Sequence, residues 1–427
     1  MTRPLVVALC FVLGASPLAL ISAGDADLGA AKNSEGVKLF QSGDFARALQ
    51  CFLAAREQLP ESEEVRRNLG KTYAALAIGI LESAMTQEVG NAPYQRALEN
   101  LQKALLHWKG DADTYHAVAL CHIQLKELEA AQKALERGVA LQPDAYPSWR
   151  LLASVLERLQ KFAQAERALD SAARLQPSAR AEIDLRRKRI RYDREALTEY
   201  PAIDSARFRV VYPPALGREK GEQVQKLLDE VCADLEKRWA VQAPKRTTVI
   251  CYPPGEFAER TGFHEDVGGA FDGKIRVAFP KELRLGGLHL AQVVRHEGAH
   301  LMLNQLGVRA PRWLDEGLAQ FIDGESREAL RPQFVELVRK HPGLGVQDRE
   351  TRFRENDPSS WGALYLHGYF FVEHVCKTAG QFRLDMIVRE AGRGKTWDEA
   401  FQAVLSKPIA TLDREWRATL LAPKKAR

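Results

Sequence analysis

The chain has 427 residues, about three domains' worth, with 45% apolar and 27% charged side chains, which excludes a largely disordered or fibrous protein. A net charge of +5 spread over 61 basic and 56 acidic residues is too balanced for a dedicated nucleic-acid binder. A mean hydropathy of −0.30 excludes a polytopic membrane protein.

Met1-Thr2-Arg3 makes a positive start, and Leu5 to Ile21 is an apolar run interrupted by Gly14 and Pro17. Small residues follow at Ser22, Ala23 and Gly24, ahead of the first acids at Asp25 and Asp27. That order predicts a signal peptide over residues 1–23, hence a secreted or periplasmic protein with no membrane span after cleavage. An uncleaved anchor is the alternative, for which the run is barely long enough. Beyond Cys10, the cysteines at 51, 121, 232, 251 and 376 are odd in number and form no C-x-x-C pair. They read as small buried hydrophobes, not as a disulfide framework.

Ala131, Leu135 and Pro143 recur as Ala165, Leu169 and Pro177, each after 34 residues. Trp149, Leu152 and Ala153 fill a first helix of this unit, while Ala165, Leu169 and Ala172 line a second. An earlier copy carries Gly36, Gly43, Ala48, Phe52, Ala55 and Pro60, and another starts at Leu69, Gly70 and Tyr73. It resumes at Ala97 after an insertion near 78–92. Residues 29–178 therefore hold about four helical-hairpin units, enough to stack a continuous core. The spacing resembles the tetratricopeptide repeat, which implies an α-solenoid that binds a protein partner or peptide. Residues 179–205 open on a stretch to Tyr200 with Arg180, Arg186, Arg187, Lys188, Arg189, Arg191 and Arg194 against five acids. They read as a charged capping helix and linker closing the solenoid.

After Pro201 the texture changes. Phe208–Tyr212 and Thr247–Tyr252 read as strands, Glu222–Trp239 as an amphipathic helix, and Lys274–Ala278 as a third strand after glycine-rich turns. Mixed elements followed by helices alone predict an α+β domain over about 206–420.

The chemistry-bearing segment is His296-Glu-Gly-Ala-His300 within an apolar helix over 288–306. Residues four apart share a helix face, so both imidazoles can reach one cation, with Glu297 turned towards an attacking water. A satisfied pair of core histidines is the bland alternative. Pro311 to Phe321 reads as a turn entering a second helix, which brings Glu316 up as a third ligand and leaves one tetrahedral position open. Trp361–Val375 is a further helix.

His296-Glu297-x-x-His300 followed by Trp313-Leu-Asp-Glu316-Gly-Leu-Ala resembles the gluzincin metallopeptidases, most closely the peptidase-MA-like domains. The resemblance implies a zincin-like fold, Zn2+ held by His296, His300 and Glu316, and Glu297 as general base. It also implies that an edge strand upstream of the zinc helix pairs with a peptide substrate, matched here by Lys274–Ala278. Tyr365 matches an oxyanion-stabilising position; Tyr369 shares its face, His367 points elsewhere, and an aromatic core stripe is the other reading. One departure is Gln320, where some gluzincins carry an acid that orients a ligand imidazole, so Asp315, Asp323 or a backbone carbonyl takes that task.

These features predict an exported zinc metallopeptidase acting on a peptide or protein substrate, with the repeats holding a partner or that substrate. The alternatives are a non-enzymatic repeat scaffold with an inactive or structural peptidase-like domain, and hydrolysis of a non-peptide amide. No nucleic-acid partner is expected.

Overall fold

The computed structural model describes residues 25–86, 90–263, 267–279, 290–354 and 361–421. The signal peptide expected over 1–23 lies outside them. Backbone contacts separate a compact unit that ends at Ile183 from another that takes Asp184–Arg427.

The first unit is all helix. Its pairs are α1 (Asp25–Gln41) with α2 (Phe45–Gln58), α3 (Glu63–Thr86) with α4 (Ala92–His107), α5 (Ala112–Gln124) with α6 (Leu128–Leu141), and α7 (Tyr146–Arg158) with α8 (Phe162–Leu175). The partners approach closely because one small residue sits in each first helix. A Cβ on Gly36 would lie 2.7 Å from the Phe52 ring, and one on Gly70 would lie 2.6 Å from Trp108 Cβ. Ala119 and Ala153 take the corresponding places in α5 and α7 and are fully buried, as are Ala165, Leu169 and Ala172 of α8. The insertion after Tyr73 extends α3 to 24 residues.

The second unit begins in α9 (Arg180–Glu199) and builds a five-stranded sheet. The strands are β1 (Ala202–Asp204), β2 (Phe208–Val211), β3 (Thr247–Tyr252), β4 (Gly269–Phe271) and β5 (Ile275–Ala278), in the order β1-β2-β3-β5-β4. The central pairs β2/β3 and β3/β5 are parallel, and both outer pairs are antiparallel. Every residue of β3 is buried, as a strand covered on both faces requires. Phe208, Val210, Val249 and Cys251 face α10 (Arg218–Trp239) and α12 (Leu290–Asn304), meeting Val224, Leu228, Val293 and Val294. Val211, Ile250 and Tyr252 face the other way, against Tyr192 and Ala196 of α9.

Two expectations need correcting. The basic helix does not serve as a solvated cap: from Asp184 onward it belongs to the second unit and covers a sheet face. Its Asp193 is wholly buried and takes a two-pronged bond from Arg276 of β5, at 2.6 and 2.9 Å. Arg276 also donates to Asp272 and the Tyr252 hydroxyl, while Lys274 Nζ lies 3.3 Å from Asp193. The second correction concerns the edge of the sheet. β5 is an inner strand, because the glycine-rich segment read as turns folds back beside it as β4.

The other helices are α11 (Phe257–Thr261), α13 (Arg312–Ile322), α14 (Arg331–Lys340), α15 (Val346–Arg354), α16 (Trp361–Ala379), α17 (Gln381–Gly392), α18 (Trp397–Leu405) and α19 (Ile409–Leu421). Cys121, Cys232 and Cys251 are buried, and all five described cysteines are free.

Removing one member of a buried ion pair costs about 3–5 kcal/mol where the other is left uncompensated, an upper bound here because Arg276 keeps Asp272. Asp193→Ala is therefore expected to lower the stability of the second unit by up to about that amount, read from urea unfolding.

Candidate metal centre

The site forms where α12 meets α13. His296 and His300 stand one turn apart on α12, and their Nε2 atoms are 3.0 Å from each other. Glu316 of α13 brings its Oε2 to 3.5 Å from His296 Nε2 and 3.9 Å from His300 Nε2. Zinc bonds of about 2.0–2.1 Å in a tetrahedron place ligand atoms roughly 3.3 Å apart, and these three edges bracket that value. Two imidazole nitrogens and one carboxylate oxygen are also a donor set that zinc favours. Among the described residues this is the group of three whose ligand atoms converge to suit a cation.

The heights of the three helices are set by glycines. A Cβ on Gly298 would come 2.6 Å from Val231 Cγ1, so α12 rests directly on α10. At the crossing of α13 and α16, a Cβ on Gly317 would lie 2.6 Å from the Gly368 carbonyl carbon. One on Gly368 would collide with the carbonyl oxygen of Trp313. The two backbones are thus in contact one residue beyond Glu316. Trp313, packed edge-on against Phe371, and Leu314 and Leu318 bury the rest of that face.

Each imidazole has its own carboxylate on the far side. Asp315 Oδ1 lies 3.1 Å from His300 Nδ1, and Asp323 Oδ2 lies 3.6 Å from His296 Nδ1. These two acids stand on the side of the rings where an acid in place of Gln320 would act, and Arg327 grips Asp323 at 2.7 Å. Burial works against charging His296, but the bonds to Asp323 and Glu316 outweigh it and raise its pKa. Burial likewise opposes ionisation of Glu316, yet the His296 bond and the nearby His300 and Arg312 hold its carboxyl well below the usual range.

Glu297 is different. It is 4% exposed, its Oε2 has no hydrogen-bond partner among the described residues, and burial pushes its pKa up. A buried, unsatisfied carboxylate oxygen is costly and marks a place reserved for something else. The edge strand β4 lies against it, since a Cβ on Gly269 would come 2.9 Å from Glu297 Cγ.

Tyr365 of α16 reaches the same neighbourhood. Its hydroxyl is 3.4 Å from Arg312 Nη2, and that nitrogen is 2.9 Å from Glu316 Oε1. Tyr369, one turn on, is buried with its hydroxyl 3.4 Å from the Arg327 backbone nitrogen. His367 faces away, between Arg349 at 3.1 Å and Asp413 at 2.6 Å. Arg312 lies four residues from Glu316 on the same helix, a legible spacing, whereas Arg327 reaches Asp323 from a loop beyond the end of α13, for which the sequence carries no signal.

Residues 286–422 match the Peptidase MA superfamily, and residues 90–155 match the tetratricopeptide repeat. The chain carries tetratricopeptide repeats followed by a Peptidase MA superfamily domain. The stretch matched to that superfamily contains α12, α13 and α16, and so all five candidate site residues. No curated relative matches the chain. Similar solved structures include MamA, at 22% identity, covering 38% of this chain and 82% of that one with a TM-score of 0.26. YrrB, described as a tetratricopeptide protein with an unusual peptide-binding site, is 16% identical over 46% of this chain and 84% of its own, with a TM-score of 0.29. A thermophilic tetratricopeptide protein from Thermus thermophilus is 18% identical over 38% of this chain and 99% of its own, with a TM-score of 0.25.

Because the backbones of α13 and α16 touch, Gly368→Ala must force them apart. Overpacking of this kind costs about 1–3 kcal/mol. The variant is expected to unfold earlier in a thermal melt, whereas Gly362→Ala, with open space around it, melts like the parent.

Proposed function

We propose that this protein is an exported zinc metallopeptidase that hydrolyses peptide bonds in a protein substrate presented or docked by its repeats. The observation that carries this reading is the convergence of His296, His300 and Glu316 beside a buried Glu297 oxygen that no described residue satisfies. His296, His300 and Glu316 would hold the ion. When bound there, zinc supplies Lewis acidity that acidifies water and polarises a carbonyl oxygen.

Glu297 accepts the proton of the attacking water and later delivers it to the departing amine. Its partnerless oxygen suits a group that must exchange protons instead of anchoring a neighbour. Asp315 and Asp323 fix the ring orientations by taking the Nδ1 side of each imidazole, which leaves both Nε2 atoms free to point inward. Tyr365 donates its hydroxyl to the oxygen on which negative charge develops.

The repeats serve binding and not chemistry. A cleft of about 760 Å³ in the first unit, lined in part by Asp113, His116, Ser148, Arg150 and Glu182, gives a peptide room to lie. Export rests on the reading of residues 1–23 as a signal peptide. It requires that the mature chain recovered from cells begin near residue 24.

Loss of a general base typically lowers turnover by about 10²–10⁴-fold. Purified Glu297→Gln should therefore keep one zinc per chain and lose casein hydrolysis to about that degree. Equal turnover by parent and variant would falsify the assignment. His296→Ala is expected to come out metal-poor by elemental analysis, and a full equivalent of zinc in it would remove the ligand set.

A further inference from the structure

Arg312 stands one residue before the Trp313–Ala319 segment, and it bonds directly to the carboxylate of Glu316. Its Nη2 lies 2.9 Å from Glu316 Oε1 and 3.4 Å from the Tyr365 hydroxyl, and its guanidinium carbon is 5.9 Å from the centre of the Tyr365 ring. The oxygen it holds is the one turned away from the histidines, because Oε2 is the atom at 3.5 Å from His296. Guanidinium is a pure donor of fixed geometry. Once it donates to the phenol oxygen, that hydroxyl's own proton must point elsewhere.

We infer that Arg312 is a positioning residue that couples two halves of the site: it turns Glu316 so that Oε2 faces the imidazoles, and it orients the Tyr365 hydroxyl towards the substrate. This rests on the hydrolase reading above. The placement explains why the arginine opens α13. At the first turn it reaches Glu316 four residues along its own helix and Tyr365 across the α13–α16 crossing, which the Gly317–Gly368 contact keeps close. Lysine cannot replace both functions. Its ammonium is a point charge on a flexible stem, able to pair with Glu316 but without a fork to align the phenol.

The full-length Arg312→Met and Arg312→Lys proteins separate these roles. Zinc affinity is read by competition with a chromogenic chelator, and the geometry at Glu316 by the visible spectrum of the cobalt-substituted protein. Loss of a partner that orients a metal ligand typically weakens binding by about 10–100-fold, which is expected for Met together with an altered cobalt spectrum. Lys should recover most of the zinc affinity. At saturating zinc both variants should lose at least about tenfold in kcat on casein, with KM little changed, as for a misaimed oxyanion donor. Unchanged zinc affinity and kcat in Met, or unchanged kcat in Lys should Met fail to fold, overturn the inference. A parent protein that binds no zinc, or that Glu297→Gln matches in turnover, removes the hydrolase reading itself. A parent that passes both while the Arg312 variants behave identically to it removes only this proposal.

Discussion

Everything at the centre depends on how closely two helix backbones approach. A carboxylate can join a pair of imidazoles only if its helix is held at one height and one rotation relative to theirs. The Gly317–Gly368 contact provides this for α13, because backbone touching backbone leaves no side chain to yield. Gly298 lets α12 settle onto the Val231 side chain of α10. Rigid packing of this kind is what allows an ångström-scale arrangement of donors to persist on a thermally moving chain.

The second requirement is electrostatic. Two histidines and four carboxylates crowd the junction of α12 and α13, most of them largely hidden from water. Hidden charges are tolerated only when each is paired or hydrogen-bonded. The arrangement alternates accordingly: Asp323 between His296 and Arg327, Asp315 beside His300, and Glu316 between the imidazoles and Arg312. Glu297 is the member left out of this pairing, which is why it stands apart chemically from its neighbours.

The repeat phase and the metal motif were legible because both are short-range codes. A 34-residue recurrence and an i, i+4 histidine pair need no knowledge of the tertiary fold. Glu316 was legible only through its motif, since its distance from His300 in sequence says nothing about distance in space. The failures have the opposite character. β1 and β4 are three residues long, too short for alternation to register, and the glycines in and beside β4 resembled turns. α9 looked like a solvated helix because its charge hid a narrow stripe of Tyr192 and Ala196, and because the partner of Asp193 lies 83 residues away on β5.

That distant pairing has a bearing on how the second unit comes together. Neither Asp193 nor Arg276 keeps any access to water in the finished fold. A half-seated α9 would leave Arg276 with Asp272 as its remaining carboxylate and strip both it and Lys274 of Asp193. The stretch richest in charge, which by composition looks detachable, is thus tied to the sheet by both its apolar stripe and its buried acid.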